Sequence, residues 1–155
     1  MVSKLKEELK QKSDFGSLEE EVTLSIARTA EFMMTAIAAV LKPSDLTVTQ
    51  YNALRILRGA GPDGLMCGEV GERMVTKESD VTRLLDRLEA RGLISRNRPP
   101  ENRRVVMTTI TKEGRELLDK LAPSVGECNE RLSSALSSAE KRSLIAMLES
   151  IRTSQ

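Results

Sequence analysis

Nine basic side chains fall between positions 73 and 104: Arg73, Lys77, Arg83, Arg87, Arg91, Arg96, Arg98, Arg103 and Arg104. Five acidic residues share that window (Glu78, Asp80, Asp86, Glu89 and Glu101), which leaves it at +4. The rest of the chain carries 15 basic against 18 acidic residues, a net of −3 within a formal total of +1. A cationic segment in an otherwise acidic chain is the electrostatic footprint of a polyanion contact. A solvated charged face accounts for the charge equally well, so the decision falls to residue type and spacing.

Within the segment, Val81, Leu84, Leu85 and Leu88 recur at i, i+3, i+4 and i+7, which predicts an amphipathic helix over about 77–91. Its leucine face would anchor it and turn Thr76, Ser79, Arg83 and Arg87 outward. Short hydroxyls and guanidinium groups suit base edges and phosphates in a major groove, and the first residues of such a helix enter deepest. Thr76, Lys77, Ser79 and Arg83 are therefore candidates for base or nearby phosphate contact, and Arg87, one turn on, for phosphate. An ordinary surface helix with Arg–Asp pairs would look similar on these residues alone. Downstream, Arg98, Arg103 and Arg104 crowd a tip that Pro99 and Pro100 restrict. A stiff arginine tip can enter a minor groove, whose narrowing deepens the negative potential; a solubilising loop is the alternative.

Other chemistries find little support. The chain has no histidine and two cysteines, Cys67 and Cys128, without metal-ligand spacing. Neither a metal, a cofactor nor an enzymatic site is expected, because the commonest general base is missing. Lys and Glu interrupt the first twelve residues, so no signal peptide is expected. No apolar run of the roughly 20 residues needed to cross a bilayer is expected either. Cytoplasmic localisation with reduced thiols follows as the expectation.

The 155-residue chain is 39% hydrophobic with only Phe15, Phe32 and Tyr51 as aromatics, which favours an aliphatic core of packed helices. A Lys/Glu-rich arm over 1–16 precedes a long helix predicted from about Ser17 to Lys42, stopped by Pro43. Asp45-Leu46-Thr47 caps a second helix running to Gly59, and Gly61-Pro62-Asp63-Gly64 forms a turn. A short helix over about Gly68–Met74, the helix over 77–91 ending at Gly92, and two β-prone segments (93–96 and 104–110) come next. Thr111 caps a further helix that Pro123 kinks or divides, and a last one covers about Ala139–Arg152. The fold class is mainly α with a small β-hairpin wing: a winged helix-turn-helix lobe over 46–111 between helical segments 1–45 and 112–155.

The run from Asp80 to Ile94 resembles the recognition helix and first wing strand of the MarR family of bacterial regulators. Glu101-Asn102-Arg103-Arg104 followed by Ile110-Thr111-Lys112-Glu113-Gly114 is similar to that family's Asp-x-Arg-Arg wing and the start of its next helix. Leu46-Thr47, Gln50-Tyr51 and Leu54 resemble its entry into the DNA-binding lobe. The resemblance implies a homodimer with the terminal helices of both chains in a shared base, and two lobes about one DNA turn apart on a pseudo-palindrome. It implies a transcriptional regulator, a repressor, that binds double-stranded DNA, with Arg103 in the minor groove oriented by Glu101, which stands where Asp is usual. It also implies a small anionic or phenolic effector between dimer base and lobe, with Tyr51 and Arg55 as conceivable polar members of that cleft. Two alternatives stay open: a redox-switched regulator working through Cys67, and a winged-helix module that binds protein.

Overall fold

The structure is a computed structural model, and residues 4–154 are described; positions 1–3 of the predicted N-terminal arm lie outside them. The chain divides into two compact units, Met1–Ala36 and Ile37–Gln155.

The first unit contains helix α1 (Lys4–Glu8), which buries Leu5. It also holds most of helix α2 (Leu18–Leu41), whose last residues belong to the second unit. The α2 start is capped locally: the Ser17 hydroxyl accepts the Glu20 N–H at 3.1 Å, and the Glu20 carboxylate accepts the Gly16 N–H at 2.6 Å. Leu18, Val22, Ile26 and Phe32 are exposed along it. Extended as far as Ser44, this helix is long and apolar enough to cross a membrane by length and composition, which corrects the expectation that no stretch is. Arg28 and Glu31 interrupt the apolar stretch, yet Ala, Met, Ile and Val keep the average high.

In the second unit, a 3-10 turn at Lys42–Ser44 with Pro43 in its first turn ends α2, and Asp45 adopts a left-handed conformation. Helix α3 (Val48–Ala60) opens with a full capping box. The Thr47 hydroxyl accepts the Gln50 N–H at 3.1 Å, and Gln50 Oε1 accepts the Thr47 N–H at 3.0 Å. Strand β1 (Leu65–Met66), helix α4 (Cys67–Arg73), helix α5 (Val81–Ala90), strands β2 (Ile94–Asn97) and β3 (Met107–Ile110), and helices α6 (Lys112–Leu132) and α7 (Ser138–Thr153) follow. The sheet is antiparallel in the order β1-β3-β2, with Leu65 opposite Thr108 and Ile94 opposite Ile110. Two-residue β1 is invisible to pattern reading, since two residues carry no period.

Leu54, Leu57, Val70, Leu84, Leu85, Leu88, Ile94, Ile110, Leu118 and Val125 share one buried cluster, so α3, α4, α5, the sheet and α6 close on a single aliphatic core. Two joints hold the base of the sheet close against its neighbours. Thr111 donates its hydroxyl to the Gly92 carbonyl at 2.7 Å and accepts the Gly114 N–H at 3.1 Å. Gly114 then packs so closely on the Leu93 carbonyl and Ile110 that a Cβ there would collide with both. At the other joint Gly64 has φ +72 and lies against the Thr108 backbone, a place where only glycine combines that conformation with that approach. Pro123 neither divides nor ends α6, which runs 21 residues through it.

Candidate nucleic-acid interface

The leucine-anchored helix is present but shorter than its periodicity suggests. Leu84, Leu85 and Leu88 are buried, as expected. The helix begins at Val81 rather than near Lys77, because the Asp80 carboxylate accepts the Arg83 N–H at 2.9 Å and acts as N-cap. Thr76, Lys77 and Ser79 therefore stand in the turn before the helix and not on its first turn, although all three are exposed. That turn is tied down from a distance: the Asn52 side-chain carbonyl accepts the Val75 N–H at 2.9 Å.

Arg83 and Arg87 project from the exposed side of α5. Among the described residues neither forms an ion pair, nor do Arg98, Arg103 and Arg104. The surface-helix alternative, in which Arg–Asp pairs consume these cations, thus does not describe Arg83 and Arg87. It does describe Arg96 on β2, whose guanidinium bonds to both Asp86 and Glu89 of α5. The hydrogen bond from Arg96 holds the Glu89 carboxyl below its ordinary value, and the same bond raises Arg96. Arg91 is likewise occupied, donating to the carbonyls of Ser44 and Asp45.

Ser79, Arg83 and Arg87 line one polar cleft of about 390 Å³ together with Thr47, Thr49, Gln50, Glu78, Asp80 and Leu84. The start of α3 therefore faces the start of α5 across it. Thr47 reads as a capping residue in the sequence and Gln50 as part of the entry into the lobe, and nothing in their spacing marks them as walls of this cleft.

The hairpin tip is built differently from its β-prone pattern. β3 starts at Met107, so Arg104 joins Arg103 in the turns of the tip instead of opening the strand. The Arg98 guanidinium donates to the Arg103 carbonyl at 2.8 Å, and Asn102 Oδ1 accepts the Arg104 N–H at 3.2 Å. Both bonds stiffen the loop while leaving the Arg103 and Arg104 side chains exposed. Glu101, the expected orienting carboxylate, is exposed and forms no ion pair with Arg103 among the described residues.

A second, larger cleft of about 710 Å³ is lined by Ala38, Ala39, Leu46, Val48 and Ala90 with Lys42, Gln50, Arg87 and Arg91 among its polar walls. Tyr51 and Arg55 are not among its lining residues; Arg55 lies over the Tyr51 ring at 6.0 Å. Cys67 is a free, half-buried thiol 3.6 Å from the Thr82 hydroxyl, and Cys128 is free and buried.

A helix, a turn held from α3, a second helix with outward arginines and a three-stranded sheet ending in an arginine tip together define a winged helix-turn-helix lobe. The MarR family sequence profile matches residues 46–106, the same lobe. The chain is 38% identical to a MarR transcription factor of Planctomyces limnophilus, covering 88% of this chain and 98% of that one with a TM-score of 0.67. It is 26% identical to CouR of Rhodococcus jostii RHA1, solved bound to p-coumaroyl-CoA, over 91% of this chain and 98% of that one, TM-score 0.75. It is also 30% identical over 105 residues to the transcriptional repressor MprA of Escherichia coli, 68% of this chain and 60% of that protein. Against two Bacillus subtilis regulators the chain spans 64% and 53% of the relative's length. The chain belongs to the MarR family of transcriptional regulators.

Proposed function

We propose that this chain is a sequence-specific regulator that binds double-stranded DNA as a homodimer on a pseudo-palindromic site and represses transcription in the cytoplasm. The observation that carries the DNA contact is the polar cleft between α3 and α5, where Arg83 and Arg87 form no ion pair among the described residues and stand beside Ser79, Thr47 and Thr49. Unpaired guanidinium groups and hydroxyls on an anchored helix meet phosphates and base edges without first breaking internal bonds. In this reading Ser79 and Arg83, with Thr76 and Lys77 from the preceding turn, read or flank bases. Arg87 holds phosphate, Arg98, Arg103 and Arg104 carry the wing into the minor groove, and Glu101 pairs with Arg103 once DNA is bound. The lobe at 46–111 reads, and the segments 1–45 and 112–155 dimerise.

Two features support the remainder. Leu144, Ile145, Met147 and Ile151 of α7 are 43–58% exposed, an apolar face suited to burial against a second copy. The larger cleft offers Lys42 and Arg87 above an alanine and valine floor, a setting for a small anionic or phenolic effector. Because Arg87 lines both clefts, an anion held there would compete with a phosphate for it.

Selection of bound duplexes from a random pool tests the function directly. The expected outcome is one enriched pseudo-palindrome whose affinity falls steeply with salt, about 0.9 log units per phosphate contact for each tenfold rise. Arg103→Ala should weaken binding to that duplex without unfolding the protein; undiminished binding would remove the wing from the interface.

A further inference from the structure

Among the described residues, Arg96 is the only basic side chain of the 73–104 segment engaged in ion pairs, and it has two. Its Nε and one terminal nitrogen donate to Glu89 Oε2 at 2.9 and 2.6 Å, and that same terminal nitrogen reaches Asp86 Oδ1 at 2.5 Å. The Arg96 side chain is 23% exposed, against 55% for Asp86 and 40% for Glu89, so the guanidinium is drawn onto the helix and not out into solvent. Arg96 sits in β2, opposite Thr108 of β3, while both carboxylates sit on α5. A planar fork meeting two carboxylates fixes orientation as well as distance, which a flexible ammonium does not. The bond therefore spans the two elements that carry the candidate contacts, the arginine helix and the arginine hairpin.

We infer that Arg96 is a positioning residue: it fixes the angle of the hairpin to α5 and neutralises two carboxylates, one of them adjacent in the chain to Arg87, without touching nucleic acid itself. The inference rests on the proposed DNA reading for its functional consequence, while the latch is a property of the free protein. It also runs against what charge alone suggests, since Arg96 counts among the cations of the basic segment.

Two variants separate the possibilities, Arg96→Ala and the double variant Asp86→Asn/Glu89→Gln, each compared with wild type on the duplex enriched from the random pool and on a random-sequence duplex. Positioning requires both variants to lose affinity for the enriched duplex, by about tenfold. For the double variant this is the telling sign, because deleting two negative charges near DNA would otherwise strengthen binding. The salt slope of Arg96→Ala should equal that of wild type, and Arg96→Lys, which can still reach one carboxylate, should recover part of the loss. In the free protein, amide exchange over 94–97 and 107–110 should quicken in both variants while α3 and α6 stay protected. The inference is overturned if the double variant binds as tightly as wild type or tighter, if Arg96→Ala lowers the slope by about 0.9 as loss of a phosphate contact would, or if hairpin exchange is unchanged. Should wild type enrich no sequence, the DNA reading fails, and hairpin exchange still decides the latch.

Discussion

At the scale of single residues, the arginines of the lobe sort by what already holds them. Arg91 and Arg96 are committed to carbonyls and carboxylates of their own chain, whereas Arg83 and Arg87, on the exposed side of α5, form no ion pair among the described residues. Composition counts all four alike, and only the folded structure divides them. Arg83→Ala is therefore expected to lower discrimination between the selected duplex and single-base variants of it by about 1–3 kcal/mol at the positions it reads. Competition binding against a panel of such variants checks this; a uniform loss across the panel would mean a phosphate contact instead. Gly114 makes a different kind of prediction. Its N–H bonds to the Thr111 hydroxyl at 3.1 Å, and its missing side chain is what lets the Leu93 carbonyl come so near. Gly114→Ala should destabilise the protein by about 1–3 kcal/mol, in the range of overpacked cores, read as a lower urea midpoint with an unchanged slope.

At the scale of elements, the lobe was legible wherever a period or a cap marked it. Leu84, Leu85 and Leu88 announce α5 through their spacing, and Asp45-Leu46-Thr47 announces the start of α3 as a cap, while the reciprocal bond from Gln50 shows only in the fold. The start of α5 was not legible, because residues 77–80 continue a helix-compatible pattern while Asp80 bonds the Arg83 N–H and ends the preceding turn. β1 and the late start of β3 are not legible for a related reason: they are decided by Leu65 meeting Thr108 and by Met107 standing opposite Met66 and Asn97, not by local alternation. The cleft between α3 and α5 joins residues some 30 positions apart, so Thr49 carries no local sign of its place there. The bond between β2 and α5 has a pH signature. Glu89 titrates below its ordinary value of 4.5 in the folded chain, because Arg96 hydrogen-bonds its charged form. A depressed carboxyl stabilises fully above the ordinary value and loses its contribution as the pH falls through the lowered one. Hairpin amide protection should hold level from neutrality to about pH 4.5 and decline below it. In Glu89→Gln, that acid decline should shrink; an identical decline would assign it to other carboxylates.

At the scale of the whole molecule, the apolar residues the folded chain leaves outside matter as much as those it buries. Four large side chains of α7 stay exposed, although a Ser137–Glu140 capping box starts that helix firmly and nothing in its sequence forbids burial. An isolated chain would pay for such a face in solubility, and a second copy is the occupant that the proposed pseudo-palindromic site requires. Met147, 58% exposed, is the sharpest probe of that face. Met147→Glu places a charge where two copies would meet, at no cost to the chain's own core, because the side chain is exposed within one chain. The expected result is a monomer in sedimentation equilibrium at concentrations where the proposed wild-type dimer sediments as one, with a thermal transition matching that of wild type diluted until it too is monomeric. Half-site binding should persist weakly in the monomer, while affinity for the full selected duplex should drop by two orders of magnitude or so, since linking two reading lobes multiplies affinity by about 10²–10⁴. If Met147→Glu and wild type sediment alike and bind alike, α7 is not the dimer face, and the lobes must be paired, if at all, through other surface.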